Sequence, residues 1–175
     1  MNSVNPIRDQ EKIEQMKKIL REQSFRNYFL FVSGINIGIR VGDLLRLRVE
    51  DVRERSHIVI REQKTGKEKK FKINDNLQRE IDCYVRGRDD DEFLFLSRQG
   101  EKRPLTRVSA WRILNSAARE VGLEGIGTHT MRKTFGFHYY RMSKDIAMLQ
   151  KIFNHSSPAV TLRYIGITQD AIDES

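Results

Sequence analysis

The sequence predicts an α+β domain, mainly helical, with a small three-stranded antiparallel sheet. Apolar residues recur at helical spacing through most of the chain, as in Ile13, Met16, Ile19 and Leu20. One stretch, from Val49 to Ile73, departs from that period and carries β-branched and alternating residues around a Lys64-Thr65-Gly66-Lys67 turn. Capping residues and glycines punctuate the rest at helix-sized intervals. At 175 residues the chain fits one domain, 1–175, with a sizeable core. Its 38% hydrophobic and 32% charged content is ordinary for a globular protein.

Taken in order, a charged amphipathic segment around Ile13–Leu20 opens the chain. Ser24 then caps a helix carrying Phe25, Tyr28, Phe29, Val32 and Ile35. Gly34, Gly38 and Gly42 break this pattern around Arg40, and Asp43–Leu47 reads as a further short helix. Val49 and Val52 begin the first expected strand, His57–Ile60 forms the second and Lys70–Ile73 the third. Asn74-Asp75 caps a helix holding Leu77, Ile81 and Tyr84, with Cys83 a small packing residue on it. Residues 86–104 are polar and irregular around Phe93–Leu96. Thr106 starts a helix with Val108, Trp111, Leu114, Ala118 and Val121 on one face, ended by Gly122, Gly125 and Gly127. Helices follow from His129 to Met142 and from Asp145 to Phe153. Pro158 opens another that reaches Tyr164, since proline suits a first helical turn. Thr168–Asp173 reads as a separate terminal helix.

The formal net charge is +8 and the sequence pI about 9.7, a balance that favours a polyanionic partner. No apolar run reaches the length of a membrane span, and the N-terminus has no apolar signal region. The single cysteine excludes an intrachain disulfide and suits a reducing cytoplasm. The four histidines form no zinc motif, and the dense acidic run Asp89-Asp90-Asp91-Glu92 reads as a solvated loop, so no metal or other cofactor is implied.

Several residues carry chemistry instead. His129 and Arg132 are three apart in the first turn of a helix, where free N–H groups and the helix dipole favour an anion. On that helix Met131, Phe135 and Met142 are assigned to the core, leaving the polar pair at the rim of a cleft. Arg40, between glycines and flanked by Ile39 and Val41, either grips phosphate bidentately or pairs with Asp43; the two readings are compatible. Lys64 at the hairpin tip suits proton donation to a leaving oxygen, with Lys67, Lys69 and Lys70 as close competitors for that role and as DNA-binding cations. Tyr164 lies nine residues after His155. As a nucleophile it needs neighbouring cations or a base, because an ordinary phenol has a pKa of about 10.

In this order and spacing, Gly38-Ile39-Arg40, Lys64, His129-x-x-Arg132, His155 and Tyr164 resemble the catalytic domain of the tyrosine recombinase (phage integrase) family, over nearly the whole chain. The resemblance implies that Tyr164 attacks a scissile phosphate in double-stranded DNA to give a 3′-phosphotyrosyl bond and a 5′-hydroxyl. It implies that Arg40 and Arg132 clamp the nonbridging oxygens and that His155 donates a hydrogen bond to the same phosphate. His129 would help accept the tyrosine proton, Lys64 would protonate the leaving oxygen, and Asp43 would buttress Arg40 and the histidines. A partner strand would then reseal the break without ATP or an obligatory metal. The resemblance further implies a free monomer that becomes a tetramer on DNA through its C-terminal tail, accessory DNA-bending proteins, and a cytoplasmic, nucleoid-associated location. The tail packs either on a neighbour or on its own domain.

Two substitutions depart from the family pattern: Asn154 where glycine often precedes the histidine, and Asp43 where glutamate is common. The N-terminal core-binding domain usual in the family is expected to be missing from this chain, as an isolated catalytic fragment or a minimal member, which predicts weak DNA binding with little sequence discrimination. A non-catalytic DNA-binding module and a metal-dependent nuclease are the competing classes.

Overall fold

Side-chain caps set most helix starts in the computed structural model, which describes residues 4–100, 102–127 and 129–167. Asp9 caps α1 (Gln10–Gln23), and Ser24 caps α2 (Phe25–Ile37) by accepting from the Asn27 N–H. A short α3 (Val41–Leu44) follows, with Arg40 as its N-terminal flank. Asn74 caps α4 (Asp75–Val85) and Thr106 caps α5 (Arg107–Glu120). Helix α6 (Thr130–Ser143) begins directly after His129. Asp145 caps α7 (Ile146–Phe153), and Ser157 caps α8 (Pro158–Tyr164), with Pro158 in its first turn as expected. The Thr168–Asp173 helix lies outside the described residues.

The sheet has two strands among the described residues, not three. β1 (His57–Arg61) pairs antiparallel with β2 (Glu68–Lys72), His57 opposite Lys72 and Arg61 opposite Glu68. The expected first strand is a 3₁₀ turn at Val49–Asp51, whose start is held by the Asp51 carboxylate accepting from the Arg48 N–H at 2.7 Å. Val49 and Val52 are both buried, and their spacing of three matches a 3₁₀ turn rather than the two-residue alternation of a strand. An isolated bridge between Arg48, just before this turn, and Phe93 stands in place of strand pairing.

One large core joins α1, α2, the hairpin, α4 and α5, with Phe29, Leu30, Phe31, Leu44, Ile58, Ile81 and Phe95 fully buried. A second, smaller cluster of Phe137, Leu149, Phe153 and Ile165 binds α6, α7 and α8 together. Gly136 lets these elements meet: a Cβ there would lie 2.6–2.8 Å from Ile165 and Phe153 atoms. Three side-chain expectations are corrected. Cys83 is exposed. Met142 is 89% exposed on the outer face of α6. On α5, Leu114, Ala118 and Val121 are buried, but Val108 and Trp111 are exposed and the small Ala110 and Ala117 face inward instead.

Candidate active site

Arg40 owes its place to the end of α2. Gly38 takes the left-handed conformation (φ 79°) against the Phe135 ring, which no side chain would tolerate, and turns the chain so that Arg40 starts α3. The Arg40 guanidinium meets the buried Glu62 carboxylate, Nη1 to Oε2, at 2.5 Å. Asp43, the partner considered from the sequence, is also buried, but its Oδ1 accepts from the Gln63 N–H at 3.3 Å and faces Arg46 at 3.9 Å. Arg40, Asp43, Gln63, Lys64, Arg107 and His129 line a cavity of about 270 Å³. Lys64 sits on the hairpin turn after β1, exposed at the mouth of this cavity.

His129 opens α6 on the cavity wall with its outer side in solvent. Partial burial, then the charges of Lys133, Arg132, Arg107 and Arg40, hold its pKa below the ordinary histidine value. Arg132, one turn along, is 4% exposed rather than at a rim. It donates to the Phe153 carbonyl at 3.2 Å and lies 4.6 Å above the Phe153 ring. Such a buried cation is left with most of its donors free for an anion.

Tyr164 stands against this arginine at the end of α8. Its ring lies 5.2 Å from that of Phe153 and 5.0 Å from that of His155, with the Lys133 ammonium 4.8 Å above it. Burial raises the phenol pKa, while Arg132 and Arg40 pull it back. His155 follows the left-handed Asn154 (φ 58°, ψ 43°), so asparagine supplies the turn that glycine would otherwise make. The His155 Nδ1 is 2.9 Å from the hydroxyl of Thr161, a fully buried residue on the turn of α8 before Tyr164. Burial first, then Arg132, Arg40 and Lys69, lower the His155 pKa.

The three hairpin lysines diverge. Lys70 is exposed, and Lys67 is exposed while donating to the Asn154 side chain at 2.8 Å. Lys69 turns inward: its ammonium lies 3.7 Å from Glu62 and donates to the Lys151 carbonyl at 3.2 Å and to the Ile152 carbonyl. Burial lowers its pKa, with Glu62 opposing. Glu62 and Thr161 were not singled out from the sequence. Glu62 is the one charged residue in the His57–Glu62 run whose position in the alternation faces inward, a signal that was readable. Among the described residues no cluster of His, Cys, Asp or Glu has metal-binding geometry.

A half-buried tyrosine in contact with His155, with Arg132, Arg40 and His129 gathered nearby on this mainly helical frame, is the arrangement expected of a tyrosine recombinase catalytic domain. Residues 8–170 match the model of the phage integrase family, and the chain belongs to that family. It is 49% identical to the probable integrase/recombinase YoeC of Bacillus subtilis (strain 168), covering 97% of this chain and 93% of that one. It is 28% identical to the tyrosine recombinase XerA of Pyrococcus furiosus, over 95% of this chain but 59% of the relative, and 29% identical to XerD of Mycobacterium leprae, over 85% and 50%. The chain thus spans between half and three-fifths of the length of these Xer relatives. The crystal structure of XerA recombinase shares the fold with a TM-score of 0.76 at 21% identity, covering 98% of this chain and 64% of that one. The catalytic domain of bacteriophage HP1 integrase does so at 0.70 and 19%, covering 98% and 93%.

Proposed function

We propose that this domain breaks and rejoins DNA strands through a 3′-phosphotyrosyl intermediate formed on Tyr164. The observation that carries the reading is the packing of the half-buried Tyr164 ring on Phe153 and His155, with the buried Arg132 guanidinium over the same Phe153 ring; the charges of Arg132 and Arg40 pull the phenol pKa down. Two always-charged guanidiniums converging beside a nucleophile suit a phosphodiester whose nonbridging oxygens gain charge during attack. A structure of the similar Tn1549 transposon integrase, at a TM-score of 0.72 and 19% identity, is a complex with circular intermediate DNA, which supports DNA as the partner.

The roles proposed are those the family resemblance implies, and the placements are compatible with them. The phenol must lose a proton that burial makes harder to lose, so it needs a base, and His129 is held neutral and able to accept one. His155, also kept neutral, hydrogen-bonds the phosphate through the nitrogen that Thr161 does not engage. Lys64, at the cavity mouth, protonates the leaving 5′-oxygen, and Asp43 supports the cavity wall through Gln63. Lys67 and Lys70 face the DNA backbone. The resealing step runs the same chemistry in reverse with a 5′-hydroxyl from a partner strand. Assembly into a tetramer on DNA, coupled by the apolar tail, belongs to the same proposal.

Incubation with nicked suicide DNA in EDTA tests it. A covalent protein–DNA adduct should form and disappear in Tyr164→Phe; cleavage that requires magnesium, or no adduct on a cognate site, overturns the reading.

A further inference from the structure

We infer that Glu62 is a positioning residue: it fixes the Arg40 guanidinium for the phosphate and, through Lys69, ties Arg40 to the segment that carries His155. The inference rests on the phosphoryl-transfer reading of this site.

Glu62 follows the last residue of β1, and its backbone is pinned across the hairpin. Its N–H donates to the Lys67 carbonyl at 2.9 Å, and its carbonyl accepts from the Gly66 N–H at 2.8 Å. The side chain is therefore delivered inward from a fixed base. Only 3% exposed, the carboxylate needs matching donors, and it has three. Oε2 accepts from Arg40; Oε1 accepts from the Thr65 hydroxyl at 3.0 Å and faces the Lys69 ammonium at 3.7 Å.

Lys69 carries the connection onward. Its ammonium donates to the carbonyls of Lys151 and Ile152 in the last turn of α7, where the helix dipole favours a cation. The next carbonyl, of Phe153, accepts from Arg132, and His155 follows two residues later. One buried carboxylate thus joins the β-hairpin, Arg40 and the end of α7. Glu62 takes a single donor nitrogen of Arg40, and a guanidinium has five N–H groups in a rigid fork, so the remaining donors are oriented rather than consumed. A cation held in place before substrate arrives needs no reorganisation as charge develops.

Glu62→Gln keeps the shape and removes the charge. At saturating suicide DNA its single-turnover rate of adduct formation should fall about 10- to 100-fold, the scale expected for misplacing a catalytic group. Its DNA Kd should be unchanged or tighter, because the variant is one unit more positive. Glu62→Asp, which keeps the charge, should recover part of the rate. Wild-type cleavage by Glu62→Gln, or a rate lost only in proportion to weaker DNA binding, overturns the inference.

A measurement free of catalysis separates this from the reading it rests on. The Arg40 Nη1 protons, which face Glu62, followed by NMR, should exchange with water slowly in the wild type and Glu62→Asp, and faster in Glu62→Gln. Equal exchange in all three overturns the anchoring. A wild type that forms no adduct but shows protected Arg40 exchange defeats the phosphoryl-transfer reading and leaves the anchor standing.

Discussion

Tyr164 and the two site histidines are displaced from their ordinary pKa values in opposite directions, all chiefly by burial. Partial burial makes a phenol resist ionising and an imidazole resist protonation, so at neutral pH both histidines are neutral and the tyrosine carries its proton. The acid limb of adduct formation should therefore fall below the ordinary imidazole value of about 6.5; a limb at or above it would contradict His129 as the acceptor. Stability has the same sign. Between the depressed folded pKa and that value the unfolded chain binds more protons, so stability declines as pH falls through the window. Thermal unfolding between pH 7 and pH 5 should show a smaller decline in His155→Gln than in the wild type. Thr161→Val strands the His155 Nδ1 and should slow adduct formation while costing about 1 kcal/mol of stability, read by denaturant unfolding. At this scale the sequence showed which residue types to look for but not who meets whom. Arg40 was weighed against Asp43, three residues away, whereas its partner Glu62 arrives from a hairpin that only the fold brings near. Arg132 reads as a rim residue on a helical wheel, yet α7 and α8 close over it.

Among the elements, start signals were the most legible. Ser24, Asn74 and Thr106 cap as their side chains predict, and Pro158 opens α8. These rules are local, which is why they survive folding. Period was less reliable over short spans: two valines three apart fit a 3₁₀ turn as well as a distorted strand, and the Asp51 cap decides between them. The wide face expected on α5 failed because close packing selected small Ala110 and Ala117 over bulky Val108 and Trp111. Close approach also governs the unit that carries Tyr164. Gly136→Ala would press a methyl into Phe153 and Ile165, the residues that seat α7 and the end of α8. Overpacking of this kind costs about 1–3 kcal/mol, so denaturant unfolding should show a loss in that range, with slower adduct formation because Phe153 also supports Arg132. A variant as stable as the wild type would mean that α7 and α8 slide freely against α6.

For the whole molecule, the +8 charge pointed to a polyanion, but charge alone does not say which cations face it. The hairpin shows why: Lys69 and Lys70 are adjacent in sequence and on opposite faces of a strand, one directed at Glu62 and α7, the other exposed. The two should therefore fail differently. On non-specific duplex DNA the logarithm of affinity falls with the logarithm of salt concentration, by about 0.9 for each phosphate neutralised. Lys70→Ala should reduce that slope by about one unit and weaken binding evenly across sequences, with the adduct rate at saturating DNA unchanged. Lys69→Ala should leave the slope almost intact, because its charge is already matched inside the protein, and should instead slow the chemical step by loosening the link between Glu62 and α7. A titration of Kd against KCl for both variants, beside single-turnover adduct formation, distinguishes them. A slope lowered equally by both would return Lys69 to the DNA-facing surface and remove the internal link from the mechanism.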